Sequence, residues 1–258
     1  PGIIVDNTLS LANSIISLAE TRGDCIAVLD LVNYGSTLAT TTAEATTLNT
    51  SYAASYWPWL QVASATGRNE WVPASVVIPG VYAFTDAASA PWFAPAGLVR
   101  GGIPGVIQAE RKLTKGDRDN LYAAKVNPIA TFPGVGIVNY GQKTRARNSS
   151  ALDRINVSRL VVYLRRQLNQ LAKPYLFEPN DKITRDEIKN ACESLMLELV
   201  GQRALYDFLV VCDESNNTPA RIDRNELHVD IAIEPVKAIE FIYIPLRLKN
   251  TGEIAALG

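Results

Sequence analysis

Residues 226–248 read ELHVDIAIEPVKAIEFIYIPLRL, and their alternation decides the fold class. Val229, Ile231 and Ile233 share one face of an extended chain. A second run places Ile239, Phe241, Tyr243 and Pro245 on one side, with Glu240, Ile242, Ile244 and Leu246 on the other. Period-two patterning predicts strand. A strand near a chain end presents a row of N–H and C=O groups that need partners. Two partners are open at this point: the chain's own sheet, closed by a hairpin, or a sheet of another copy, reached by strand addition.

Working outward, the segment before this run, YDFLVVCD (206–213), predicts another strand, with SNNTPARID as loop. Asn216–Thr218 and Asn250–Gly252 are expected to be flexible flanks of the arm. Upstream lie two helices. Residues 150–172 place Ile155, Leu160, Val161, Leu164, Leu168 and Leu171 on an apolar face, with Arg154, Arg159, Arg165 and Arg166 mostly elsewhere. After the turn FEPND (177–181), Thr184 and Glu187 form a capping-box pattern that opens a helix running to about Gly201.

NPIATFPGVGIVNYGQKT (127–144) predicts two strands around a Pro-Gly turn. GVIQAERKL (105–113) predicts a short strand and KGDRDNLYAAK (115–125) a short helix. Residues 90–102 read as an irregular loop, and 74–88 as a helix kinked or broken at Pro79-Gly80. YWPWLQVASA (56–65) reads as one strand with Pro58 near its start, and 36–54 as a weak helix flanked by loop. CIAVLDLV (25–32) suits a buried strand, preceded by a helix over 8–22 with Leu11, Ile15, Leu18 and Ala19 in one stripe. The fold class expected is α/β (α+β): mixed β-sheets flanked by helices, with an extended C-terminal β arm.

Composition narrows the function. Of 258 residues, 47% are hydrophobic, enough for a core, yet no window holds 18 consecutive apolar residues, so no membrane insertion is expected. The 25 basic and 26 acidic residues leave a net charge of −1, which gives no electrostatic case for nucleic acid and offers little repulsion to self-association. Cys25, Cys192 and Cys212 are far apart and read as reduced, buried small residues. The Asn-x-Ser/Thr triplets at Asn49, Asn156 and Asn216 carry no meaning without secretion. The chain begins at Pro1, which suggests a piece of a longer protein.

Chemistry has few candidates. The sole histidine, His228, sits two residues before Asp230, and a Cys192–His228–Asp230 relay is conceivable, but Cys192 lies inside a helix. A zinc site needs three or four clustered ligands, which this chain lacks. Asp86, Asp117, Asp119, Asp186 and Glu187 fall at loop tips and helix starts, where acids cap helices. GVGIVNYGQKT (134–144) departs from a phosphate-binding loop because Gln142 separates Gly141 from Lys143. Neither a catalytic residue nor a cofactor is expected. The arginines of 150–172 read either as a solvated face or as a basic stripe against an acidic partner.

Four ordered blocks resemble the C-terminal half of contractile phage tail sheath proteins, and most closely their T4-like members. They are WVPASVVIPGVYAFTDAASAPWFAPAG (71–97), NPIATFPGVGIVNYGQKT (127–144), INVSRLVVYLRRQL (155–168) with FEPND (177–181), and the stretch 207–246. Lys143 and Ser158 stand where the family usually has arginine. The resemblance spans roughly residues 8–250, and the family's N-terminal arm is not found. It implies residues 1–104 as part of an α/β domain and 105–258 as the C-terminal sheath domain with its strand arm. It further implies a homo-oligomer: six-fold rings stacked helically around a tail tube, capped by baseplate and tail terminator proteins, assembled in the host cytoplasm and carried in the virion. Terminal arms add strands to neighbouring subunits, and contraction drives the tube through the host envelope. Val229, Ile231, Ile233, Ile239, Phe241 and Tyr243 are the expected inter-subunit arm residues, and Arg165 and Arg166 the candidates for facing the tube. A tailocin or secretion-system sheath is the near alternative, and an α/β hydrolase-like enzyme using Cys192 or an acidic pair the distant one.

Overall fold

The computed structural model describes residues 4–64 and 67–243. Helix α1 (Val5–Arg22) ends at Gly23, whose φ of 65° is the left-handed turn that glycine adopts most easily. Its buried residues are Val5, Ala12, Ile16 and Ala19, whereas Leu11 and Leu18 are exposed. The expected stripe is therefore rotated: the small side chains of Ala12 and Ala19 bring this helix close to the sheet. Strand β1 (Ala27–Leu29), helix α2 (Leu38–Glu44) and strand β2 (Ala53–Trp57) follow.

The predicted strand 56–65 is two strands in different sheets. A cis Trp57–Pro58 bond separates β2 from β3 (Leu60–Ala63), and proline has no N–H to continue a ladder. β4 (Asn69–Val72) pairs with β3. Helix α3 (Ala74–Ala88) runs through Pro79 as one element, without the break its sequence suggested. The loop beyond it contains a short helix, α4 (Gly97–Arg100), before β5 (Val106–Ala109). Helix α5 (Lys115–Ala123) opens with a capping box in which Thr114 and Asp117 satisfy each other's backbone N–H. The hairpin β6 (Asn127–Phe132) and β7 (Gly136–Asn139) forms as its Pro-Gly turn predicts.

Helix α6 (Ile155–Ala172) leads to α7 (Lys182–Gly201). α7 starts earlier than expected: Asp181 is its cap and accepts from Thr184 N at 2.9 Å, so Thr184 lies in the first turn. The chain then forms β8 (Leu205–Val211), the short α8 (Pro219–Ile222) and β9 (Asp230–Pro235).

The strands of the described residues make three sheets. The largest has the order β1-β2-β6-β7, with β1, β2 and β6 parallel and β7 antiparallel to β6. All five residues of β2 are buried, because both faces of this sheet are covered. Ala53 and Trp57 face a core with Val5, Ile16 and Leu121; Ala54 and Tyr56 face a second core with Ile78, Val81 and Ile155. β4-β3-β5 form a small antiparallel sheet. Pairings β2–β6 and β3–β5 join the chain on the two sides of residue 104. A third core lies between α6, α7 and the ribbon β8–β9, centred on Leu160, Ile188, Met196 and Leu199.

Candidate functional site

The ribbon β8–β9 is the least completed part of the fold. Ile231 pairs with Val210 and Ile233 with Phe208, so these arm residues bond within their own chain. Their side chains, with Val229, pack on the α6–α7 core, while Asp230, Ala232 and Glu234 face outward. The connection from β8, residues 212–229, is long for a hairpin but holds α8, and closure entropy grows only slowly with loop length. Among the described residues, the ribbon has two strands only, which leaves one open edge on each side. Isolated two-stranded sheets are marginal in water, and open edges are templates for further strands.

The second half of the predicted arm departs from expectation. Residues 236–243 form no strand among the described residues. Ile239, Phe241 and Tyr243 are 82%, 67% and 87% exposed. Ile244, Pro245 and Leu246, together with the flank Asn250–Gly252, lie outside the described residues. The flank before the arm is not loose either. Asn216 donates to Val211 O and to Asp230 Oδ2, and Asn217 donates to His228 O and accepts from His228 N, which fixes the loop beneath β9.

One residue of the exposed run turns inward. Glu240 Oε1 accepts from Tyr122 Oη at 2.8 Å, Gln142 Nε2 at 3.2 Å and Arg154 Nε at 2.6 Å; Oε2 accepts from Arg154 Nη2 at 3.0 Å. Arg154 also pairs with Asp153 at 2.9 Å. Burial acts to raise the Glu240 carboxyl, but the hydrogen bonds from Arg154 and Tyr122 and the guanidinium charge outweigh it and hold it below the usual range. Burial, with the neighbouring carboxylate second, pushes the Tyr122 phenol well up. The loop below is tightly seated: a Cβ on Gly141 would stand 2.8 Å from Asn127 Oδ1, so only glycine fits. Asn127 in turn receives Lys143 N at 2.7 Å.

Beside this cluster lies a cleft of about 1140 Å³ between α5, the 92–100 loop and residues 236–241. Its walls stack cations on rings: Arg100 over Phe93 at 5.1 Å, and Arg118 over Tyr140 at 5.8 Å. Lys143 donates to Tyr122 O at 2.7 Å and lies 3.8 Å from that ring's centre. Burial, then the charges of Lys125 and Arg154, push its ammonium down to about 8. The side chain of the phosphate-loop-like segment is thus committed to an internal contact.

Arg165 and Arg166 are both exposed on α6. The Arg165 guanidinium lies against Gly23 at the C-terminal end of α1, 5.9 Å from the Tyr52 ring centre. The imagined relay is not assembled. His228 pairs with Glu226 at 3.1 Å, Asp230 is taken by Asn216, and burial, its largest influence, pushes the Cys192 thiol up, away from thiolate chemistry. Among the described residues no group of three or more metal-ligating side chains occurs, and no helix is long and apolar enough to cross a membrane.

The family described as phage tail sheath protein central domain matches residues 2–145, and that described as phage tail sheath C-terminal domain matches residues 147–249. The tail sheath protein of Vibrio phage KVP40 is 44% identical over 175 residues, covering 68% of this chain and 26% of the relative. That of Enterobacteria phage T4 is 31% identical over 273 residues, covering 97% of this chain and 41% of the relative. The chain therefore spans less than half the length of either. Among solved structures, the sheath complex of the PVC extracellular contractile injection system in its contracted state superposes with a TM-score of 0.79 at 23% identity, covering 93% of this chain and 69% of that one. The contracted helical sheath of the anti-feeding prophage gives 0.69 at 23%, covering 96% and 77%.

Proposed function

Because the chain belongs to the phage tail sheath family, we propose that it is the polymer-forming part of a contractile sheath subunit. In this reading, copies assemble as six-fold rings stacked helically around a tail tube, between baseplate and terminator proteins. They form in the host cytoplasm and travel in the virion tail. Contraction drives the tube through the host envelope, and no bond of a substrate is made or broken. The observation that carries the reading is the pairing of unmet needs in one chain. The β8–β9 ribbon has two open edges, and the segment after Glu240 displays apolar side chains with no strand partner among the described residues. Strand addition between copies answers both. Main-chain bonds, each worth about 0.5–1.5 kcal/mol net, depend little on side chains and survive rotation of the bodies they join.

Ile239, Phe241 and Tyr243 are the arm residues in this account, while Val229, Ile231 and Ile233 hold the strand that receives a neighbour. Arg165 and Arg166 face the tube; reversing both charges weakens assembly on tubes, and unchanged assembly removes that assignment. The likeness to injection-system sheaths favours one second reading, a sheath of a tailocin-like or secretion-type device, and genome context separates the two. Electron microscopy of the full-length protein expressed alone tests the main claim. Long hollow tubes are expected; a persistent monomer contradicts it.

A further inference from the structure

We propose that Glu240 is the positioning residue of the arm: its clamp to Arg154, Tyr122 and Gln142 fixes where the C-terminal segment leaves the body and carries the load placed on it. The inference rests on the arm reading above. Its geometry is independent of that reading. Glu240 is the one charged residue in the run 238–246, and its side chain is only 14% exposed. Its donors come from three places in the body: α5, the loop after β7 and the entry to α6. Those places are themselves tied together. Lys143 and Arg154 form an antiparallel bridge, and Ile155 N donates to Gln142 O at 2.7 Å.

The mechanical consequence follows from the order of attachments. β9 ends at Pro235, which has no N–H, and the next main-chain tie is Val236 N to Ala204 O at 3.0 Å. Tension on an arm fixed only there would peel β9 from β8 one bond at a time, from its free end. With Glu240 held, the same tension reaches four charge-assisted or hydroxyl bonds at once and passes to α6 and the β6–β7 hairpin. The pivot then lies at Phe241, beyond the clamp, where the chain emerges into solvent. A carboxylate suits this task because two oxygens accept several donors, and bonds to a guanidinium are the strong ones.

The test uses the full-length protein with Glu240→Ala, Glu240→Gln and Arg154→Lys, beside a truncation after Glu240. Hydrogen exchange is read in unassembled subunits, and polymer yield by sedimentation. In the Ala variant, exchange of the Val236 amide, the one in 236–243 that donates to the main chain among the described residues, rises at least about tenfold while the central sheet is unchanged, and yield falls several-fold. Gln, which keeps the shape without the charge, and Lys, which keeps the charge without the fork, fall between. Unchanged exchange, or faster exchange with full yield in all three variants, overturns the clamp. The truncation separates the two ideas: if it still polymerises, the arm reading fails; if it does not while Glu240→Ala does, only the clamp fails.

Discussion

The central sheet and the β8–β9 ribbon are built from similar residues and end in opposite states. β2 is buried on both faces and bonded on both edges, by β1 and β6. Among the described residues, β9 is covered on one face, bonded on one edge, and followed by an apolar run turned to solvent. The difference is one of completion rather than composition. The first region satisfies its backbone within the chain; the second keeps donors and acceptors that a neighbour can use. Stability and assembly are thereby assigned to separate parts of one fold, so substitutions in the two regions should separate them too.

The largest effect belongs to the completed region. Arg145 is buried without a carboxylate partner among the described residues; its guanidinium donates to Ala124 O, Lys125 O and Ala45 O, at the C-terminal ends of α5 and α2. Burial, with Arg147 second, pushes it down to about 10. Arg145→Met leaves those carbonyls buried and unpaired and should cost about 4 kcal/mol, seen as a lower midpoint in denaturant. A loss below about 1 kcal/mol would break the contrast at its strong end.

A smaller effect sits at the junction. The charged and titratable groups around Glu240 are Arg154 and Tyr122, which bond to it, Lys143, whose ammonium feels its charge, and Asp153, which shares Arg154. Since the folded-state Glu240 carboxyl lies below its ordinary value, its contribution is present above that value and is lost as pH falls through the lowered one. Exchange of the Val236 amide, which donates to Ala204 O, corrected for intrinsic rates, should stay slow at about pH 4.5, the ordinary glutamate midpoint, and quicken only below it. Release at or above that pH would mean that the hydrogen bonds do not outweigh burial.

The smallest effect on the subunit belongs to the open region. Phe241→Asp with Tyr243→Asp changes only exposed side chains, so unfolding of the isolated subunit should shift by less than about 0.5 kcal/mol. Polymer yield should nevertheless collapse. A large loss of subunit stability would place these residues in the fold rather than in assembly.

Local rules made much of this legible. The β6–β7 hairpin follows from its Pro-Gly turn, the end of α1 from Gly23, and α6 from its apolar spacing. The errors came where tertiary contacts decide. Pro58 divides two sheets instead of starting one strand. Asp181 caps α7 three residues before the pattern at Thr184. Asn216 and Asn217 look like a flexible flank but are held by the β9 backbone and by Asp230. The Glu240 clamp joins residues 122, 142, 154 and 240, which no local window contains. Its one signal was available: a lone carboxylate in AIEFIYIPL (238–246) must either face water or find a donor.

A cryo-electron microscopy map of the polymer formed by the full-length protein tests strand exchange most directly. The account requires at least one extra strand on the β8–β9 ribbon, traced to another subunit, with Glu240 of that subunit still on its own Arg154. A ribbon that stays two-stranded, with residues 239–243 lying on their own body, would contradict it.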